Sequence, residues 1–148
     1  MFLNEPGPGT SLARAFQDLC PAVLAKIRGA AARACSEEGW ITNSNGPLST
    51  LEGGVEALHL RVVEHWTYQV GGGLVDLLHY DTDSIVTLVT MLSDSGDFEG
   101  GVFSTNECDG TSLGQPMEKG GCLCLLSHKY HNVTPVAAGT RRVMVTEF

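Results

Sequence analysis

Positive charge is scarce in this sequence. Nine Lys and Arg stand against seventeen Asp and Glu, a formal net charge of -8. That balance argues against a surface built to track nucleic-acid phosphates. Long apolar runs are missing too, so no stretch spans a bilayer. The start of the chain, Met1 to Thr10, is rich in Pro and Gly and does not resemble a signal peptide. An intracellular, cytoplasmic protein with no membrane or nucleic-acid partner is therefore expected. Cysteine is present without a pattern: Cys20, Cys35, Cys108, Cys122 and Cys124 are odd in number and lack C-x-x-C spacing. This argues against a disulfide framework and against a zinc ribbon. Buried free thiols in a reducing compartment are the expectation. With 43% hydrophobic and 18% charged residues the balance is globular, and disorder is not the reading.

At 148 residues the chain is expected to form one domain, with a helical flank over 11–39 and a β core over 55–148. Ser11 is a plausible N-cap for a helix through Leu12, Ala15, Phe16 and Leu19. Pro21 fits the first turn of a second helix through Val23, Leu24, Ile27, Ala31 and Ala34, which Gly39 would stop. Residues 41–54 read as loop. The period then changes to two, with a long strand over 57–70 that Gly71-Gly72-Gly73 breaks. Short strands are expected at 74–80, 85–93, 101–106, 121–126, 131–136 and 140–147, and 108–120 as a loop over a site. Many short strands between turn signals suggest a mainly β fold with N-terminal helices, a double-stranded β-helix or jelly roll.

His79-Tyr80-Asp81 is the stretch around which the chemistry is organised. On a strand, residues two apart point to one face, so a nitrogen and a carboxylate oxygen would project together. A second His would complete a 2-His-1-carboxylate site, which suits Fe(II) and leaves positions open for substrate and oxygen. H-x-D alone occurs by chance in many proteins. The run from Ser127 to Arg141 adds two candidates for the second His, His128 and His131, and an arginine, Arg141, with Arg142 directly after it. Arg141 would share a strand face with Val143 and Val145, where an arginine needs an anion, while Arg142 points away unless the strand is bulged. His59 and His65 have no such context and read as ordinary strand residues.

These pieces stand in a recognisable order. They are Tyr68 to Gly72, His79-Tyr80-Asp81, Thr87 to Ser93, Asp97-Phe98-Glu99-Gly100-Gly101-Val102-Phe103 and Lys119-Gly120. The last is His131-x-Val133-x-Pro135-Val136-x-x-Gly139-x-Arg141. The run from Tyr68 to Phe148 resembles the Fe(II)- and 2-oxoglutarate-dependent dioxygenases, in the prolyl 4-hydroxylase-like branch. The resemblance implies His79, Asp81 and His131 as iron ligands, which selects His131 over His128. It implies Arg141 as the holder of the distal carboxylate of 2-oxoglutarate, with Tyr68 and Thr87 as further contacts to it. Met91 falls where some relatives carry a polar contact. Fe(II), 2-oxoglutarate, O2 and ascorbate are the implied cofactors. The implied reaction is hydroxylation of a prolyl or similar side chain of a peptide, with succinate and CO2 as coproducts. No catalytic residue is implied beyond the metal site. The same chemistry on a small metabolite, or a non-catalytic jelly-roll metal-binding module, are the alternatives. Asp81 disfavours halogenation, because related halogenases lack that carboxylate.

Overall fold

The computed structural model describes residues 12–40, 46–48 and 54–148. The expected N-cap Ser11 and most of the expected loop at 41–54 lie outside them. Two helices, α1 (Leu12–Leu19) and α2 (Pro21–Glu37), precede nine strands. Pro21 opens α2, where its missing N–H is no loss, and Gly39 at φ +68° ends it. One stripe of α2, Ile27, Ala31 and Cys35, is buried at helical spacing.

The strands are β1 (Val62–Tyr68), β2 (Val86–Met91), β3 (Phe98–Gly100), β4 (Phe103–Asn106) and β5 (Ser112–Gln115). They continue with β6 (Cys122–Leu126), β7 (His131–Val133), β8 (Val136–Gly139) and β9 (Arg141–Glu147). An antiparallel sheet β1-β9-β2-β6 forms one layer. The pairs β3-β8 and β5-β4-β7 form the other. Thr134 and Val102 stitch these two small sheets together by bonds of 2.9 and 3.0 Å. The architecture is a jelly roll flanked by two helices.

Alternation along β2 and β9 sorts the residues between two cores. Val86, Leu88, Met144 and Phe148 face the helices and pack with Ile27, Ala31, Cys35 and Leu58. Val89, Met91, Val143 and Val145 face the opposite layer and meet Phe103, Val133 and Phe98. Each large side chain buried in this way contributes roughly 1.5–3 kcal/mol. The polar members of the inner face, Thr87, Arg141 and Glu147, belong to the site.

Several expected boundaries shift for local reasons. The strand expected over 57–70 starts at Val62, because Gly54–Ala57 makes a 3-10 turn. Residues 74–80 form no strand beyond one bridge from Leu74 to Val133. The Asp76 carboxylate accepts the Leu78 N–H at 2.9 Å and diverts the chain into a turn. The strand expected at 101–106 divides at Gly100 and Gly101, with φ of +73° and +59°. A Cβ on Gly100 would lie 2.6 Å from the Pro135 carbonyl oxygen, so the bend admits only glycine. Pro135, which has no N–H, divides 131–136 into β7 and β8. The expected loop 108–120 contains β5, hairpinned to β4 by a turn in which Asp109 accepts from Thr111.

All five cysteines are free, and Cys35 alone is fully buried; Cys108 and Cys122 are exposed, against the expectation of buried thiols. Cys124 is half-buried against the helices, and burial pushes its thiol up to about 12. Among the described residues no helix is long and apolar enough to cross a membrane.

Candidate metal centre

His79 and Asp81 sit in a segment without regular secondary structure rather than on a strand, yet the backbone holds both. The His79 carbonyl accepts the His131 N–H at 3.0 Å, and the Asp81 N–H donates to the Ser127 carbonyl at 2.8 Å. The first bond ties the H-x-D segment to the start of β7. One potential ligand atom from each of His79, Asp81 and His131 then lies within 4.8 Å of the others. Asp81 Oδ1 is 3.2 Å from His79 Nε2 and 3.8 Å from His131 Nε2. The imidazoles meet edge to face with centroids 4.9 Å apart.

Each ligand atom is oriented by a neighbour. His131 Nδ1 lies 2.9 Å from the Lys129 carbonyl oxygen, so this nitrogen carries the proton and Nε2 keeps its lone pair. Phe103 stacks on the ring at 5.2 Å. Burial lowers the His131 pKa against the raising effect of that carbonyl and of Asp81, which favours the neutral form a metal needs. Thr87 donates its hydroxyl to Asp81 Oδ2 at 2.7 Å. Ser127 Oγ lies 2.9 Å from the same hydroxyl and must be the donor to it. Oδ1 stays directed at the two histidines. The side chains of His131 and Asp81 are 5% and 11% exposed and that of His79 is 35% exposed, so the trio opens on the His79 side.

The three residues line a cavity of about 470 Å³ whose walls include Arg61, Glu64, Trp66, Tyr68 and Arg141. Arg141 is 1% exposed, and its guanidinium carbon sits 5.4 Å from the centre of the Tyr68 ring. Its Nε and Nη1 have no hydrogen-bond partner among the described residues. Nη2 reaches only the Met117 sulfur, at 4.0 Å. Burial pulls the Arg141 pKa down and Tyr68 pushes it back up. Burial raises the Tyr68 pKa while Arg141 opposes the rise. A Cβ on Gly101 would lie 2.9 Å from Arg141 Cδ, so this glycine makes room for the arginine's stem.

The donor set and the orphaned guanidinium fit a divalent metal at one end of the cavity and a dianion between it and Arg141. No protein-family model and no curated protein matches the sequence. Solved structures do. One is an oxidoreductase of the 2OG-Fe(II) oxygenase family from Burkholderia pseudomallei, with a TM-score of 0.53 and 17% identity over 60% of this chain. Another is a prolyl hydroxylase from Trichoplax adhaerens, in complex with a hypoxia inducible factor oxygen degradation domain peptide fragment. It gives a TM-score of 0.50 and 18% identity over 68% of this chain. The fold is that of a 2OG-Fe(II) oxygenase. The match spans 42% and 50% of those two chains.

Within this oxygenase fold the expected residues separate. His79, Asp81, His131, Tyr68, Thr87 and Arg141 all line the one cavity. Thr87, expected to face 2-oxoglutarate, has its hydroxyl committed to Asp81 instead. Arg142 is exposed and points away from the cavity, as the alternation required. His128 is exposed and lines a separate groove beside α2, away from the metal trio. His59 and His65 are exposed. Met91 is buried in the inner core and lines a small cavity on the other side of Arg141.

Sequence reasoning missed a second network. Arg61 donates to Glu147 Oε2, to the Thr82 carbonyl and to Ser84 Oγ, each at 2.6 Å. Ser84 Oγ donates to the same Glu147 oxygen at 2.6 Å. Together these close the turn after Asp81, where Asp83 holds φ +63°. Burial raises the Glu147 pKa, against the lowering effect of Ser84. The signal available was period two: Glu147 shares the Arg141 face of β9. Ser127 carried no signal at all.

Proposed function

We propose that this protein is an Fe(II)- and 2-oxoglutarate-dependent dioxygenase that hydroxylates a substrate C–H bond, with succinate and CO2 as coproducts. The observation that carries the reading is Arg141, a buried guanidinium in the cavity of the His79, Asp81 and His131 trio whose Nε and Nη1 have no partner among the described residues. Such a cation is tolerated inside a protein when an anion completes it. A module that only holds a metal has no use for it. When bound, iron with 2-oxoglutarate and dioxygen supplies the oxidising chemistry, in which the cosubstrate is oxidatively decarboxylated and one oxygen atom goes to substrate.

The chain's own residues bind, orient and exclude water. His79 Nε2, Asp81 Oδ1 and His131 Nε2 would hold the metal on three sides and leave the cavity side open. The Lys129 carbonyl fixes the His131 tautomer, and the Thr87 hydroxyl fixes the Asp81 carboxylate. Arg141 would take the far carboxylate of the cosubstrate through its planar fork. Tyr68, against that guanidinium, would close the same end. No other group of this chain is assigned a proton-transfer role.

The proposed target is a prolyl or similar side chain of a peptide, on the resemblance to the prolyl hydroxylases and on the peptide fragment held by the Trichoplax adhaerens neighbour. Ascorbate is proposed as an accessory reductant. An anaerobic titration with Fe(II) and then 2-oxoglutarate tests the core of the reading. A visible charge-transfer band is expected only after both additions. It should vanish in His131→Ala and weaken in Arg141→Ala. No band in the folded wild-type protein sinks the proposal.

A further inference from the structure

We infer that the substrate presents an organic cation, an ammonium or guanidinium group, to Glu64; this deepens the proposed iron and 2-oxoglutarate reading and rests on it. Alternation turns His65 and Thr67 out to solvent and leaves Glu64, Trp66 and Tyr68 half-buried on the cavity wall. Opposite them on β9 stand Val145, Val143 and Arg141 in that order. The wall therefore runs from a carboxylate, across two aromatic rings, to the buried cation. Trp66 and Tyr68 stack at 6.2 Å with planes 20° apart. The Trp66 indole N–H donates to Glu64 Oε2 at 2.7 Å, which leaves Oε1 and the remaining lone pairs to the cavity.

Charge decides what fits there. Among the described residues no Lys, Arg or His pairs with Glu64. Arg61 lines the same cavity but is committed to Glu147, Ser84 and Thr82. Arg141 lies at the other end, four residues along β1 from Glu64 by its pairing with Tyr68. The two charges of a divalent metal would be answered by Asp81 and one carboxylate of 2-oxoglutarate, and the other carboxylate by Arg141. Glu64 is then the carboxylate without a countercharge. An apolar group docked against it would strip its water and return nothing, and a neutral donor would return a hydrogen bond but leave the charge unanswered. A cation would return a charge-assisted bond to Glu64 and answer its charge. The net charge of -8 would also draw a basic substrate toward the protein.

The chain has two tryptophans, Trp40 and Trp66, so its indole N–H signals form a two-peak reporter. Trp40 lines the separate groove beside α2 and serves as the internal control. The probes are N-acetyl-argininamide against N-acetyl-citrullinamide, which differ in charge and hardly in shape, and N-acetyl-lysinamide against N-acetyl-norleucinamide, which lacks the ammonium group. The 15N-labelled protein is titrated with each, metal-free and again with zinc and 2-oxoglutarate. The Trp66 signal should saturate at roughly tenfold lower concentration with at least one cation than with its neutral twin, as one charge-assisted bond requires. Glu64→Gln should erase that difference while Trp40 stays in place. Should the variant lose the Trp40 signal of the folded chain, wild-type titrations at low and high salt replace it. The cation's advantage must then shrink with salt. Equal saturation by cation and twin in both pairs, or a still Trp66 signal, overturns the inference. The two claims fail separately. A cation preference with no charge-transfer band would refute the dioxygenase reading, and a band with no cation preference would refute this inference alone.

Discussion

Arg28 and Arg141 lie on opposite sides of the same sheet, each with its guanidinium over an aromatic ring. Arg28, on α2, sits 5.0 Å from the ring of Phe148 and donates to the Leu58 carbonyl at 2.7 Å. Arg141, on β9, sits 5.4 Å from the ring of Tyr68, and its Nε and Nη1 have no partner among the described residues. A cation close to a core is therefore no mark of function. The difference lies in what the protein supplies to it. On the helix side the chain closes its own polar groups with a carbonyl, which is what a structural arginine needs. On the cavity side it leaves a fork open, at a cost to stability that only a ligand offsets.

That contrast can be broken at several points, and the largest effect should come from the metal trio. His131→Ala should weaken cobalt or iron binding by more than about 100-fold, beyond the 10–100-fold that outer partners of a ligand are worth. Arg28→Met should leave that titration untouched. Next, Arg141→Met should lower 2-oxoglutarate affinity by about 100-fold, the scale of a lost bidentate charge-assisted pair. The same variant should melt at a higher temperature than wild type without ligands, because removing unpartnered buried donors relieves roughly 1–3 kcal/mol. A lower melting point would mean that the protein already satisfies this guanidinium, and the contrast with Arg28 would collapse.

Thr87→Val, which keeps the shape and removes the donor to Asp81, should cost about tenfold in metal affinity and leave 2-oxoglutarate binding to the loaded protein unchanged. A selective loss of 2-oxoglutarate would instead place Thr87 on the cosubstrate. Arg28→Met should destabilise the protein by at least about 1 kcal/mol in urea, the net worth of the bond to the Leu58 carbonyl. The smallest effect concerns pH. The folded pKa of His131 is lowered by burial, so on acidification the unfolded chain takes up this proton first. Its contribution to the stability of the metal-free protein is full above about pH 6.5, the unfolded value, and declines as pH falls from there toward the folded one. Urea midpoints between pH 5 and 8 should therefore drop less steeply in His131→Ala than in wild type.

Where local rules and tertiary demands agree, the sequence was easy to read. The two helices, the Gly39 stop, and β1, β2, β6 and β9 follow from periodicity and punctuation alone. The readings failed where a side chain competes with the backbone, or where a proline or glycine breaks a strand from within. Asp76 turns 74–80 away from a strand, Gly100 and Gly101 split one expected strand, and Pro135 splits another. The H-x-D pair still projects together without a strand beneath it, because bonds from the His131 and Asp81 N–H groups replace the ladder.

The sequence by itself determined which residue types could make a metal site and which face of β9 Arg141 would take, since both follow from chemistry and a period of two. It also carried the order of motifs behind the resemblance. That order already selected His131 over His128, and only the tertiary structure decided that Thr87 serves Asp81. Only there do Glu147 and Arg61 neutralise each other and leave Glu64 alone on the wall. Each of these depends on which hydrogen bonds and ion pairs close between segments distant in the chain. A sequence states the inventory of charges, and packing decides which of them are left without a partner.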